Sequence, residues 1–244
     1  MIGPLIGSFL LESFDENYRF IFEIATYVLV ASIVSAIGLS RNRPIVKRDK
    51  FSFSSVKEIV RFPHVIMMLI YCTASFGIIL SIYPAFLNDR AMTPVNIEIL
   101  FFIFGVSRII TLILASKLAK NTSLTLILAT FAIAGGLGMS FFVESIIEFA
   151  IAITLLGFGF SIFFLLTLEI VLSKTRKEIS GTMIGAYETV FGIGWASGPI
   201  IAGVISYFFG NETPYLVFFA IGIGVAILSI SKRKLLEPNR NTNV

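Results

Sequence analysis

Apolar residues run in long blocks along this chain, and short polar breaks separate them. Eight blocks fall at 1–11, 20–39, 64–87, 96–116, 122–143, 146–172, 181–209 and 213–230. A bilayer core takes about 20 apolar residues as helix. All but the first block approach or exceed that length. The pattern therefore predicts an all-α, multi-pass membrane protein. The first block is too short to span alone.

Composition supports this class. Hydrophobic residues make up 56% of the chain, charged residues 14%, and the mean hydropathy is +0.92. A soluble domain carries about 25% charged residues. The single Cys (Cys72) excludes an internal disulfide, and the single His (His64) removes most zinc and His-base chemistry. No paired Asp, His–Glu cluster or Ser/His constellation lies within the blocks. Enzyme activity, cofactor and metal are therefore not expected.

Charge adds direction. Most of the 19 Lys and Arg residues crowd alternate breaks: Arg41–Arg61, Lys117 and Lys120, Lys174–Lys177, and the tail from Lys232. The other breaks carry Glu12, Asp15, Glu16, Asp89, Glu144 and Glu212 with few bases. The positive-inside rule places the basic breaks and the C-terminus in the cytoplasm of a cell-membrane protein. The same alternation argues for the lipid bilayer, and against nucleic acid, as the partner of the basic residues. The long break 40–63 reads as a cytoplasmic linker between a remnant at 1–39 and a six-span unit at 64–231, with a tail at 232–244. Its Ser52–Phe62 stretch also has the make-up of an amphipathic surface helix.

A repeat joins the two ends of the chain. Gly3-Pro4-Leu5-Ile6-Gly7-Ser8 near the start matches Gly198-Pro199-Ile200-Ile201-Ala202-Gly203 near the end. An apolar, aromatic block and a basic run follow each copy. Together with six spans behind a long basic loop, these motifs resemble the major facilitator superfamily, whose members carry two related six-helix halves. The most specific stretch runs from Glu169 through Arg176-Lys177 to Gly181, Gly185, Gly192, Gly198-Pro199 and Gly203. It is similar to the family's passage from helix ten into helix eleven. The Gly3–Ser8 copy is similar to the helix-five motif of the family's exporters. Ser8 stands where that motif commonly has a second Gly.

The resemblance implies that residues 64–230 correspond to helices seven to twelve, 20–39 to helix six, and 1–11 to the end of helix five. Helices one to four have no counterpart in the chain, so a missing N-terminal half is an expected partner. The function implied is secondary active transport of a small organic solute by alternating access, with proton-coupled export as its finer form. The alternative is a non-transporting membrane fragment or one subunit of a split transporter.

Ionisable residues within spans are the main functional pointers, because hydrocarbon penalises charge. Arg108 lies mid-span and calls for either a polar cavity or a structural ion pair. Glu188 shares a helix face with Gly181, Gly185, Gly192 and Trp195, by three- and four-residue spacing. It reads either as a proton-carrying site or as a hydrogen-bonded packing residue on a face lined by glycines. Glu169 sits near the basic end of its span, where Arg176 or Lys177 is the expected partner; a reach from Arg108 is the other reading. Tyr83, beside the kink-forming Pro84, is either a solute contact or an interface-belt tyrosine. Trp195 is either a cavity aromatic or a packing residue. Gly3, Pro4, Gly7, Gly185, Gly192, Gly198, Pro199 and Gly203 form the expected helix-packing and gating motif.

Overall fold

The structure, a computed structural model, describes residues 18–40, 62–175 and 179–236. Gly3, Pro4, Gly7, the Arg41–Arg61 stretch, Arg176 and Lys177 lie outside the described residues. The chain forms two compact units, Met1–Phe51 and Ser52–Val244. Every regular element among the described residues is helical. That follows from the hydropathy, since in lipid a helix satisfies its own backbone groups.

The first unit contributes α1, Tyr18–Ser40, over the predicted block 20–39. Arg19 and Glu23, one turn apart at its start, form an exposed ion pair at 3.2 Å.

The second unit holds α2 (Pro63–Ser81), α3 (Tyr83–Asp89), α4 (Pro94–Leu118), α5 (Thr122–Phe142), α6 (Ile146–Ser173), α7 (Ser180–Phe209) and α8 (Thr213–Ser231). Proline opens four of them, α2, α3, α4 and α8, where its missing N–H costs no helical bond. Thr93 caps α4, and Ser145 with Glu148 forms a reciprocal capping box on α6.

Two local features shape the spans. The block 64–87, expected as one span, divides at Ile82, where Pro84 cannot donate back to the preceding turn. The apolar run Pro94–Phe142 covers 49 residues, too long for one crossing. A short 3-10 turn, Ala119–Asn121, breaks it into α4 and α5, and the Asn121 backbone (φ −121°, ψ 70°) leaves the helical region.

Helix directions follow from which residues meet. Phe104 and Ser107 of α4 meet Gly157 of α6, and Arg108 reaches Ser161 one turn on, so α4 and α6 run parallel. Gly136 of α5 meets Ala152 and Leu156, whereas Ala129 and Ile133 meet Gly159, so α5 runs antiparallel to α6. The chain therefore reverses at Asn121, and six spans cross this unit. In the same way α2 and α7 are parallel: Ile70 meets Gly194, and Ala74 meets Gly198.

Each end of the unit is tied differently. At the basic end, Arg233 Nε donates to Ser123 Oγ (3.2 Å), and Lys174 Nζ donates to the Leu235 carbonyl (2.8 Å). Leu236 beside them is buried. At the opposite end, Arg90 pairs with Glu212 (2.9 Å), donates to the Phe141 carbonyl and lies over Phe86. Asn211 donates to Asp89 (2.6 Å). The alternating charge of the sequence thus becomes two chemically distinct ends of one helical bundle.

Candidate solute cavity

Four helices, α2, α4, α6 and α7, line an open cavity of about 280 Å³. Leu69, Cys72, Thr73 and Phe76 come from α2, and Arg108 comes from α4. Phe160, Phe163 and Phe164 come from α6, and Glu188 and Phe191 from α7. Half of the lining is phenylalanine, with one guanidinium and one carboxylate. A mainly apolar cavity with a few placed polar groups is the usual make-up of a small-molecule site.

Arg108 is fixed by its surroundings. Its guanidinium lies over Phe76 at 5.2 Å and Phe104 at 5.6 Å from the ring centroids. Nε donates to Ser161 Oγ at 3.3 Å. Cation–π contacts of this kind strengthen as the cation is desolvated. Among the described residues no carboxylate pairs with Arg108, so the ion-pair reading is replaced by stacking and a hydroxyl. Parallel packing of α4 and α6 aims Arg108 at Ser161, two turns short of Glu169 along α6. Phe76 in turn meets Phe160 and Phe191 edge-on, so the platform beneath Arg108 is part of a larger aromatic cluster.

Glu188 lines the same cavity from α7, is exposed there, and forms no ion pair with a described residue. Its neighbour Tyr187 is not part of the lining but packs on Phe164, which is. Tyr187 is buried, and its hydroxyl shares a hydrogen bond with Thr167 Oγ1 at 2.8 Å. Glu169 is exposed and outside the cavity, and its expected partners Arg176 and Lys177 are outside the described residues.

Tyr83 is neither a cavity residue nor an interface tyrosine. It is fully buried, bonds Ser140 at 2.7 Å, and packs with Phe86, Phe149 and Tyr215. The break at Ile82 turns its ring into the core rather than towards solute.

The glycines of α7 divide sharply. A Cβ at Gly194 would overlap Thr73 Oγ1, and one at Gly198 would overlap the Ala74 backbone. On the facing helix, a Cβ at Gly77 would overlap the Trp195 carbonyl. Pro199 explains why that carbonyl is available: it has no N–H to return to Trp195, one turn back. The bare carbonyl then sits against the Gly77 backbone, in the manner of a Cα–H···O contact. By contrast, nothing lies within 4 Å of a Cβ at Gly181, Gly185, Gly192 or Gly203. The expected packing motif thus divides: within this unit Gly198 and Pro199 make the close approach, and Gly185, Gly192 and Gly203 do not. Trp195 contributes its backbone and ring edge to this seam, not to the cavity.

The family model of the Major Facilitator Superfamily matches the chain over residues 1–199 and again over 81–243. The chain belongs to the Major Facilitator Superfamily. The match supports a membrane transporter, and the long apolar helices agree with it. No curated protein compared with it matches. Within this superfamily member, the sequence alone singled out Arg108 and Glu188, and the structure brings them to one cavity. It missed Ser161, Thr73 and the phenylalanine platform. Ser161 follows Gly157-Phe158-Gly159-Phe160 in the sequence, a stretch that gives no hint of a cation beside it.

Proposed function

We propose that this chain is a secondary transporter of a small organic solute, working by alternating access around the Arg108–Glu188 cavity. The observation that supports this reading is the pairing of two opposite charges in one aromatic cavity, each without an ionic partner among the described residues. Charge held in a span without such a partner costs free energy and is retained where it serves a ligand or an ion. In this reading Arg108 binds solute and Glu188 takes up and releases the coupling proton. The basic end and the C-terminus face the cytoplasm of the cell membrane. The bundle rocks against a second bundle, exposing the cavity to each side in turn. Export is the direction we assign, on the Gly3–Pro4–Gly7 motif.

Proteoliposomes containing the full chain test this. Solute added to one side should drive a pH change that Glu188→Gln abolishes while the protein stays folded. A solute flux indifferent to pH and unchanged in Glu188→Gln would refute the coupling.

A further inference from the structure

We infer that the solute is zwitterionic: a small amino carboxylate with an apolar or aromatic body. The inference rests on the transport reading of the same cavity and gives it a substrate class.

The guanidinium of Arg108 lies against the neighbouring rings of Phe76 and Phe104, and its Nε donates to Ser161. The hydrogen bond that Arg108 makes to a described residue is through Nε, not through its two terminal nitrogens. Those nitrogens form the edge of the fork that receives a carboxylate by two parallel hydrogen bonds. The two ring contacts and the Ser161 hydrogen bond restrain the side chain, so less of its freedom is lost when an anion docks. A phosphate or sulfate would also suit the fork. Glu188 in the same cavity argues against a multiply charged anion, since like charges repel.

Glu188 supplies the second half. It lines the cavity from a different helix, and no ion pair joins it to Arg108. The cavity therefore offers one anion acceptor and one cation acceptor held apart. A monocarboxylate would leave Glu188 facing it; an amine would leave Arg108 facing it. Only a ligand with both charges meets both groups. The remaining wall, including Phe160, Phe163, Phe164 and Phe191, takes an apolar body. At about 280 Å³ the space is just below the usual range of ligand cavities, which starts near ~300 Å³, so the solute is small. The arrangement also gives exchange a physical basis. The ammonium group of the solute and the coupling proton compete for one carboxylate, so each leaves as the other arrives.

The test uses the purified full chain in lipid nanodiscs and three probes sharing one ring: L-phenylalanine, 3-phenylpropionate and 2-phenylethylamine. The expected result is L-phenylalanine bound about tenfold more tightly than either single-charge probe, as two charge-assisted contacts exceed one. Arg108→Gln should bring L-phenylalanine down to the level of the amine, and Glu188→Gln down to the level of the acid. Arg108→Lys keeps charge but not the fork, and should recover only part of the loss. Melting curves on each variant show that it is folded, and Arg108→Lys carries the test if Arg108→Gln does not fold. No binding of L-phenylalanine by the folded wild-type chain, or either single-charge probe binding as tightly, would overturn the proposal. So would undiminished L-phenylalanine binding in the folded variants.

Flux separates this from the transport reading. Binding of the predicted pattern without flux in proteoliposomes would leave the substrate class standing and remove transport. Flux of a solute lacking either charge, unaffected by Arg108→Lys and Glu188→Gln, would do the reverse.

Discussion

The two faces of α7 are built from the same residue type and do opposite things. On one face, Gly194 and Gly198 press into the backbone of α2, and a single added methyl would collide. On the other, Gly181, Gly185 and Gly192 meet nothing, and Glu188 among them opens onto the cavity. The first face is a seam that fixes α7 to α2. The second is a wall that must accept something else. A glycine stripe in a membrane helix therefore does not by itself mean contact; what stands opposite decides.

Substitutions on the two faces should separate widely. Gly198→Leu should have the largest effect, because its neighbour is the Ala74 backbone, which cannot rotate away. A loss of about 3 kcal/mol or more, or failure to fold, is expected from overpacking at such a site, read as the denaturation midpoint in detergent. A midpoint like the wild type would break the comparison at once.

Tyr83→Phe sharpens it from outside both faces. The change removes one buried hydrogen bond to Ser140, which still donates to the Gly136 carbonyl. About 1 kcal/mol of stability should be lost, with solute binding unchanged because Tyr83 is not in the cavity. Altered binding at constant stability would return Tyr83 to the site.

Gly185→Ala should move the other way. With open space around its Cβ position, the better helix former stabilises by about 0.5–1 kcal/mol. A loss instead would show that this face also packs closely.

Smallest of all should be the tie at the end of the bundle opposite the basic tail. Arg90 and Glu212 pair at 2.9 Å, but the Glu212 side chain is half exposed and screened. A double-mutant cycle with Arg90→Gln and Glu212→Gln should give a coupling of about 0.5 kcal/mol, falling with salt. A coupling of several kcal/mol would make this tie, rather than the α2–α7 seam, the main fastening of the unit.

Much of the fold was legible in the sequence because hydropathy and charge act over whole segments. The helix at 20–39 and the six long helices from residue 64 onwards follow from apolar length alone, and the two ends from the alternation of Lys and Arg. The kink beside Pro84 was legible because proline's missing N–H acts locally. What could not be read was the rotation of each helix about its own axis. Gly181, Gly185 and Gly192 look on paper as suitable for packing as Gly194 and Gly198, since both sets repeat at helical spacing. Only the neighbour on α2 distinguishes them. The same limit misplaced Tyr83, whose direction changes at the break after Ile82. It also hid Ser161 as the partner of Arg108, because parallel packing of α4 on α6 sets that register. Arg108 and Glu188 were legible as candidates because charge in a span is rare enough to stand out without a neighbour.

The most direct measurement is chemical labelling along α7. With Cys72→Ser as background, Glu188→Cys and Ala186→Cys place one thiol on each side of the same turn, since Ala186 is buried and Glu188 lines the cavity. A membrane-impermeant maleimide should modify Glu188→Cys and leave Ala186→Cys unmodified in the folded protein. Equal modification at both positions, or none at Glu188→Cys, would contradict a cavity wall on one face of α7 and a dry seam on the other.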